Sequence, residues 1–230
     1  MTVHRFFVAP EEAPPIDRFP LPDSIAHQVR RVLRLRDGAP LVLLTGDGNQ
    51  VSCRLDGDAC VVESRAPAGG EPVHRLTIIQ ALLKGDGLET VVQQGTEVGV
   101  SAFRLAVTER CVVRELSPRR MERLRAIARE SAEQSERGRV PTIQDPQPFA
   151  DVLSAGGALL SERSRGLGLG AIPPPSALLI GPEGGFSPSE LDAADTAGMT
   201  LVSLGPRILR AETVAATAAA VVLSRAGDFA

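Results

Sequence analysis

The chain has 230 residues, a hydrophobic fraction of 43% and a formal net charge of −3 at pH 7. This length suits one large domain or two smaller ones, and the apolar content is ample for a buried core. No apolar stretch approaches the roughly 20 residues that cross a bilayer, and the N-terminus lacks the apolar segment of a signal peptide, so we expect a cytoplasmic protein. The three cysteines have no CxxC spacing, which indicates reduced, packed thiols rather than a disulfide framework or a zinc site.

The first seventy residues have the pattern of a small β-rich module. A helix that Ser24 caps is predicted to run through residues 29–33. Strands are predicted over residues 40–45, 51–55 and 59–63, with turns between them, and this meander favours a small barrel. Residues 65–72 (RAPAGGEP) form the best linker, so the predicted domains are residues 1–70 and 73–230.

After the linker, strands and helices alternate. Strands are predicted over residues 76–82, 103–107, 178–180 and 201–204, and helices over residues 88–98, 117–137 and 211–223. A further helix is predicted to start after Ser187. Ser187 is the N-cap, Pro188 takes the first helical position, and Glu190 at the third position completes a capping box. The alternation predicts an α/β domain with a largely parallel sheet. The alanine-rich last helix predicts burial, with a subunit interface as one candidate partner.

Two glycine-rich strings near the C-terminus carry the strongest functional signal. Residues 181–186 (GPEGGF) and 204–213 (LGPRILRAET) each follow a short apolar run and open a helix. A glycine turn between a strand and a helix N-terminus presents backbone N–H groups and the positive end of the helix dipole to a ligand. Neither string matches the P-loop or the G-x-G-x-x-G fingerprint, so the residues alone leave open a shared ligand pocket and a pair of tight structural turns.

The two strings resemble the C-terminal motifs of the RsmE family, bacterial SPOUT methyltransferases that act on N3 of a uridine in the 16S rRNA of the small ribosomal subunit. The resemblance continues through residues 5–8 (RFFV), 27–38 (HQVRRVLRLRDG), 80–100 (QALLKGDGLETVVQQGTEVGV) and 133–143 (EQSERGRVPTI), and so covers essentially the whole chain. It implies a SPOUT domain with a deep trefoil knot over residues 73–230 and a PUA-like RNA-binding β-barrel over residues 1–70. It also implies S-adenosyl-L-methionine as the cofactor, the decoding region of the 16S rRNA as the substrate and a homodimer.

The resemblance further implies that backbone groups from three loops hold the cofactor. The matching residues are Leu160, Ser161, Glu162, Ile180, Gly181, Pro182, Glu183, Gly184, Gly185, Ser203, Leu204, Gly205, Ile208 and Leu209. Glycines suit such a site because the backbone must turn sharply and approach the cofactor closely. The loop over residues 161–170 departs from the family pattern, so contacts from it are the least determined.

Two charged side chains in the strings are the expected catalytic residues. Arg210 is assigned to stabilise negative charge on a uracil oxygen as the N3 proton leaves, and Glu183 to orient a group or accept that proton. The alternatives are a helix-terminus ion pair of Arg210 with Glu212, and a Glu183 carboxylate that accepts N–H groups of its own turn. Glu97 is either catalytic or a buried helix-end carboxylate bonded to an arginine.

Arginines dominate the basic residues, because Lys84 is the only lysine among 25 Lys and Arg residues. Arginine suits bidentate phosphate contacts, although a genome rich in arginine codons and solvated helix faces explain the same composition. The residues expected to contact RNA, by their match to family motifs, are Arg5, Arg31, Arg34, Gln134, Arg137 and Arg139. The chain has no Tyr or Trp, so recognition would depend on shape and phosphates.

Metal chemistry has no signal in the sequence, because the three histidines show no ligand spacing and methyl transfer from a sulfonium needs no metal. Two other functions fit the same residues. One is methylation of a ribose 2′-hydroxyl by a related knotted enzyme, and the other is a non-catalytic RNA-binding factor in assembly of the subunit.

Overall fold

The computed structural model describes residues 3–9, 17–154, 156–161 and 167–229. The chain divides into two compact units. Unit 1 comprises Met1–Glu71 and Ala132–Val140, and unit 2 comprises Pro72–Ser131 and Pro141–Ala230. The sequence had assigned residues 132–140 to the second domain. They belong to unit 1 because Ala132 and Val140 pack against the apolar side chains of Phe7, Val42 and Leu44. The function of each unit stays a prediction.

Unit 1 is built on a mixed five-stranded sheet. Its elements are β1 (His4–Phe7), β2 (Arg18–Pro20), α1 (Asp23–His27), a π-helical turn (Gln28–Val32), β3 (Pro40–Leu44), β4 (Asn49–Asp56) and β5 (Ala59–Pro67). The strand order is β1-β3-β4-β5-β2, with β1 parallel to β3 and the other pairs antiparallel. Within the described ranges, the edge strands β1 and β2 do not pair with each other, so closure into the expected barrel stays a prediction.

Three predicted boundaries in unit 1 differ from the structure. The N-cap of α1 is Pro22 rather than Ser24, and the helix passes into a π-helical turn instead of remaining α-helical to residue 33. Strand β5 runs into the predicted linker, because Pro67 pairs in register with Asn49 of β4. Pairing with β4 therefore extends β5 past the point where the turn-forming residues of the linker begin.

Unit 2 has a sheet of six strands in the order β11-β9-β10-β6-β7-β8, and every neighbouring pair is parallel. Its elements are β6 (Thr77–Ala81), α2 (Gly87–Glu97), β7 (Ala102–Val107), α3 (Pro118–Gln134), which ends in unit 1, β8 (Thr142–Pro148), α4 (Phe149–Val152), β9 (Ala158–Leu160), a 3-10 turn (Leu169–Ala171), β10 (Ala177–Ile180), α5 (Pro188–Thr196), β11 (Thr200–Val202) and α6 (Ala211–Arg225). The predicted α/β domain with a largely parallel sheet is confirmed.

Strands β8 and β9 escaped prediction for opposite reasons. Strand β8 is polar and contains Pro146 and Pro148, which are tolerated because it lies at the edge of the sheet. Strand β9 is apolar but only three residues long, too short to give a pattern. Strand β11 ends at Val202, two residues before the predicted end.

The interior of unit 2 is apolar on both sides of its sheet. Ile78 and Ile79 of β6, and Leu178 and Leu179 of β10, are successive residues that face opposite sides of the sheet, and all four are fully buried, as is usual in parallel sheets with helices on both faces. Helix α6 packs on α2 and β10, and its alanines 211, 215, 218 and 219 are buried, which confirms the predicted burial of the last helix. None of the helices among the described residues is long and apolar enough to span a membrane.

The cysteines are buried free thiols, as the sequence predicts. Loss of solvation on burial raises the pKa of the Cys53 thiol to about 12 and that of Cys60 to about 11. Both thiols therefore stay protonated at neutral pH and act as packing groups.

Candidate active site

A cavity of about 970 Å³ lies at the carboxyl ends of four neighbouring strands of unit 2. Its walls are residues 84–87 after β6, residues 160–161 at the end of β9, residues 180–186 after β10, and residues 204–205, 207–212 and 214, which lead from β11 into α6. Ligands of open α/β sheets bind at this end of the strands, because loops and helix N-termini converge there. Both glycine strings therefore contribute to one cavity.

The cavity brings together most of the residues that the sequence assigned to the site. Those that line it are Leu160, Ser161, Ile180, Gly181, Pro182, Glu183, Gly184, Gly185, Leu204, Gly205, Ile208, Leu209 and Arg210. Ser203 does not line it, because its N–H and Oγ turn toward the carbonyl oxygen of Leu167, at 2.9 and 3.5 Å. Glu162 lies outside the described residues.

One wall of the cavity was not assigned to the site from the sequence. It is the loop Lys84–Gly87, which follows β6. The available signal was the KGDG segment within the family resemblance, but nothing local shows that β6 is the neighbour of β10 in the sheet. Arg207, Phe186, Ala211, Glu212 and Val214 complete the lining.

Glu183 joins two walls of the cavity. Its Oε1 accepts the backbone N–H of Lys84 at 3.2 Å, so the carboxylate fixes the loop after β6 against the glycine turn after β10. The alternative of bonds within its own turn is therefore replaced by a bond between loops. The carboxyl group remains exposed, and its second oxygen makes no hydrogen bond to any described residue.

Arg210 occupies the N-cap position of α6, with φ −67° and ψ 149°. Its carbonyl oxygen accepts the N–H of Val214, but its side chain makes no capping bond. Across the part of the chain that the structure describes, no ion pair joins Arg210 to Glu212 or to another carboxylate. The exposed guanidinium thus lies at the cavity and makes neither a capping bond nor an ion pair with a described residue.

Two arginines outside the lining hold the loops of the cavity through backbone carbonyl groups. Arg110 donates from Nη1 to the carbonyl oxygen of Gly184 at 3.0 Å, and Arg120 donates from Nη2 to that of Gly85. Each loop therefore has a guanidinium behind it. Loops fixed in this way keep a site in its working geometry before a ligand binds.

Glu190 joins the start of α5 to the loop after β7 through its carboxylate. Its side chain accepts the N–H of Glu109 through Oε1 at 2.8 Å and the N–H of Ser187 through Oε2 at 2.9 Å. The Ser187 hydroxyl accepts the N–H of Glu190 in return, so the predicted capping box is confirmed. The carboxylate thus ties the start of α5 to the segment that carries Arg110.

Replacing Glu190 with alanine is expected to lower the free energy of unfolding by about 3 kcal/mol, because the buried N–H of Ser187 and the part-buried N–H of Glu109 both lose a charged acceptor. The substitution E190Q, which keeps one acceptor oxygen, is expected to cost about half as much. Chemical denaturation followed by circular dichroism measures both. Asp192→Ala, an exposed carboxylate on the same helix, is the control, and an equal loss in all three variants would contradict this role of Glu190.

Glycines let the backbone form the wall of the cavity. A Cβ on Gly181 would lie 3.1 Å from the Phe186 ring, and one on Gly184 would lie 3.2 Å from the Cβ of Arg110. Gly205 has φ +91°, which residues other than glycine rarely adopt.

A fully buried side chain, Gln80, supports the glycine turn from the interior. It donates from Nε2 to the Gly181 carbonyl at 3.3 Å, while its Oε1 has no partner. Backbone, small residues and an apolar floor suit a nucleoside-sized ligand.

The arginines expected to contact RNA differ in their exposure within unit 1. Arg31 and Arg34 are exposed, and Arg34 has φ 53°, which turns the chain out of the π-helical segment. Arg5 is mostly buried and forms an ion pair with Glu136 at 2.8 Å, although its Nε has no partner. RNA contacts of these residues stay a prediction.

The remaining residues of that group lie at or beyond the end of α3. Gln134 is exposed. Arg137 is only 2% exposed, and its Nη2 and Nε donate to the two carboxylate oxygens of Glu71, at 2.9 and 3.2 Å. Arg139 is exposed and donates to the carbonyl oxygen of Asp47. Arg137 is thus an internal ion-pair residue in this structure, and a direct contact with RNA would require it to leave Glu71.

Glu97 is not the buried, arginine-bound carboxylate of one interpretation made from the sequence, and the catalytic interpretation stays a prediction. It is exposed rather than buried, and its Oε1 accepts from Gln93 Nε2 at 3.2 Å rather than from an arginine. It also lies outside the cavity lining. A search of the described residues finds no group of three His, Cys, Asp or Glu side chains that suits a metal ion.

Comparisons with known proteins show the family of the chain. A family model described as RNA methyltransferase domain matches residues 70–223, more than half of the chain. Ribosomal RNA small subunit methyltransferase E of Synechocystis sp. is 34% identical over 235 residues, which cover 95% of this chain and 77% of that protein. The protein of the same name from Bacillus subtilis is 32% identical, with 88% of this chain and 87% of that protein covered.

Solved structures show the same similarity. Ribosomal RNA small subunit methyltransferase E of Neisseria gonorrhoeae, bound to S-adenosyl methionine, has a TM-score of 0.87 and 30% identity, over 97% of this chain and 98% of that chain. A protein of Legionella pneumophila, solved in complex with the same cofactor, has a TM-score of 0.85 and 27% identity, over 97% of this chain and 98% of that chain. The resemblance seen in the sequence motifs is therefore confirmed, and the chain belongs to the ribosomal RNA small subunit methyltransferase E family.

Proposed function

We propose that the protein transfers the methyl group of S-adenosyl-L-methionine to N3 of a uracil in the decoding region of 16S rRNA. The observation that carries the proposal is the cavity of unit 2, which gathers both glycine strings and Arg210 in one place. Membership of the family, and the solved relatives with bound S-adenosylmethionine, support it.

The residues present fit this cofactor. Backbone groups of Gly181, Gly184 and Gly205 would hold its polar atoms, because no side chain keeps the ligand away from them. Apolar side chains on the floor, such as Ile180 and Leu209, would pack against the adenine ring. The bound cofactor supplies a methyl group that a positively charged sulfur already activates.

The charged residues of the cavity act on the uracil. N3 of uracil is weakly acidic, and loss of its proton leaves a negative charge that spreads over N3 and the two carbonyl oxygens. Arg210 stabilises one of those oxygens through its guanidinium. Glu183, held by the Lys84 N–H through one oxygen, has a second oxygen with which to orient the base or accept its proton.

Unit 1 is the proposed RNA-binding module, with a PUA-like fold as the resemblance implies. Arg31 and Arg34, both exposed on the helical segment, supply charges for phosphate groups. Arg139 and Gln134 offer exposed polar groups at the segment 132–140. Contacts of this kind position the RNA without reading its sequence, which suits a substrate presented within an assembled subunit.

A trefoil knot and a homodimer are part of the proposal. Strand β11 lies at one edge of the sheet, yet the chain returns from it to pack α6 on α2 and β10 in the middle, and this return supports the knot. The homodimer rests on the resemblance, because enzymes of this class complete the active site across a two-fold interface. Light scattering after size exclusion should then give twice the chain mass of 24.2 kDa.

Removing metal from the protein is expected to leave its activity unchanged, since the proposed transfer uses no metal. Protein dialysed against a strong chelator, and then freed of it, should methylate small subunits that keep their own Mg²⁺ at the rate of untreated protein. Restoration of a lost rate by a divalent cation, with the RNA substrate shown to be intact, would contradict this expectation.

The test of the function is incubation of the purified protein with radiolabelled S-adenosylmethionine and small subunits from cells that lack the modification. Label in 3-methyluridine at one uridine of the decoding region is the expected result. Label in a 2′-O-methylated nucleoside would show the ribose alternative. Cofactor binding without transfer to any RNA would favour an assembly factor.

A further inference from the structure

Lys84 stands out by its chemistry and by its place. It is the only lysine in a chain with 25 Lys and Arg residues, and it lines the cavity of unit 2. A bias toward arginine explains the composition elsewhere, and Lys84 is the one exception to it. An ammonium group differs from a guanidinium in being a compact point charge.

The geometry fixes the backbone of Lys84 while leaving its side chain exposed. Its N–H is held by Glu183 Oε1 at 3.2 Å, and the carbonyl of the next residue, Gly85, is held by Arg120. The side chain is exposed and forms no ion pair with any carboxylate of the described residues. A lysine with an anchored backbone and an unpaired ammonium group resembles Arg210, whose guanidinium is also without an ion pair there.

We infer that Lys84 is a second cationic catalytic residue, which stabilises the uracil anion at the carbonyl oxygen that Arg210 does not serve. This inference rests on the proposed function. The anion of an imide carries its charge on two oxygens that flank the nitrogen, one on each side. Lys84 and Arg210 reach the cavity from different loops, one after β6 and one after β11, so two cations are available for two oxygens.

The step balances without a metal or a redox partner. The N3–H bond breaks and its proton passes to solvent or to Glu183, while its electron pair stays on the imide, where the two cations stabilise it. N3 then forms a bond to the methyl carbon as the carbon–sulfur bond breaks, and the electron pair of that bond stays on sulfur. Lys84 keeps its proton throughout and acts only through its charge.

The effect of Lys84 on acidity can be separated from an effect on structure. Lys84→Met preserves the length of the side chain and removes its charge, so the single-turnover rate near neutral pH should fall about 50-fold. The affinity for S-adenosylmethionine, measured by calorimetry, should stay within about twofold of wild type. Lys84→Arg should lose about fivefold, because a wider guanidinium restores the charge but not the position.

The deciding experiment uses RNA with 5-fluorouridine at the target position. The N3 of this base is more acidic than the N3 of uridine. If Lys84 stabilises the anion, this RNA should reduce the 50-fold loss in Lys84→Met to about fivefold or less, and raising the pH should do the same. Arg119→Met, an exposed cation of α3 outside the cavity lining, is the control for lost charge and should gain nothing from the fluorinated base.

Three results would overturn the inference. They are an unchanged rate in Lys84→Met, an equal loss with both RNAs at every pH, and loss of cofactor affinity that accounts for the slower rate. The wild-type protein is the separate control for the proposed function. If it makes neither 3-methyluridine on the normal RNA nor 3-methyl-5-fluorouridine on the fluorinated RNA, the proposed function fails and the role of Lys84 fails with it. If it does, a failure in the variants concerns Lys84 alone.

Discussion

Replacing Arg210 with alanine is expected to lower the single-turnover rate of methyl transfer by roughly 10²- to 10³-fold, the usual cost of losing one donor that stabilises a developing anion. The free energy of unfolding should stay within about 0.5 kcal/mol of wild type. The reason is structural. The Arg210 side chain is exposed, and neither caps α6 nor pairs with a carboxylate of the described chain, so its loss breaks no visible contact.

The measurements pair a rapid-quench assay on small subunits with chemical denaturation. Arg210→Lys keeps the charge but loses the planar fork, so it should fall between wild type and alanine. Arg119→Ala, which removes an exposed arginine of unit 2 outside the cavity lining, should change KM at most. Near-normal turnover by a normally folded Arg210→Ala protein would show that the catalytic assignment is wrong.

The site was predictable where its signal is local. The strings over residues 181–186 and 204–213 mark two strand ends, and the capping box of Ser187 and Glu190 marks the helix after the first. Each of these depends on a few adjacent residues, whose turn and cap chemistry is fixed by sequence alone.

What stayed hidden depends on the order of strands in the sheet. Lys84 lies almost 100 residues before Glu183, and only the pairing of β6 with β10 brings their backbone and side chain to 3.2 Å. The edge strand β8 was missed for a similar reason, because its prolines are permitted by its position and not by its composition. The sequence shows Glu190 as part of a capping box. It does not show that Glu190 also accepts the N–H of Glu109, because Glu109 lies 81 residues earlier, in the loop after β7.

Arg137 shows that a motif match does not predict burial. The match predicts an RNA contact, which stays a prediction, and the structure buries the side chain against Glu71 in unit 1. Removing a charged side chain that is 2% exposed and bound through Nε and Nη2 is costly, since its partner Glu71 is then left with an unpaired charge. Burial depends on what packs around the residue, which the motif does not encode.

Replacing Arg137 with leucine should therefore lower the free energy of unfolding by about 3 kcal/mol, the low end for breaking a buried pair, because Glu71 keeps some contact with water. Arg18→Leu is the matched control. It breaks the ion pair with Asp56, which has the same 2.9 Å separation but side chains that are 64% and 59% exposed. That loss should be below about 1 kcal/mol.

The double substitution of Arg137 and Glu71 by leucine tests whether the cost of Arg137→Leu comes from leaving the Glu71 charge unpaired. Removing both charges should be milder than removing Arg137 alone, because no buried charge is left without a partner. Denaturation followed by circular dichroism suits a chain without Tyr or Trp. If Arg137→Leu unfolds as wild type does but binds small subunits more weakly, the residue serves RNA rather than unit 1. A stability loss with unchanged RNA affinity in refolded protein would assign the motif arginine to holding the segment 132–140 in place.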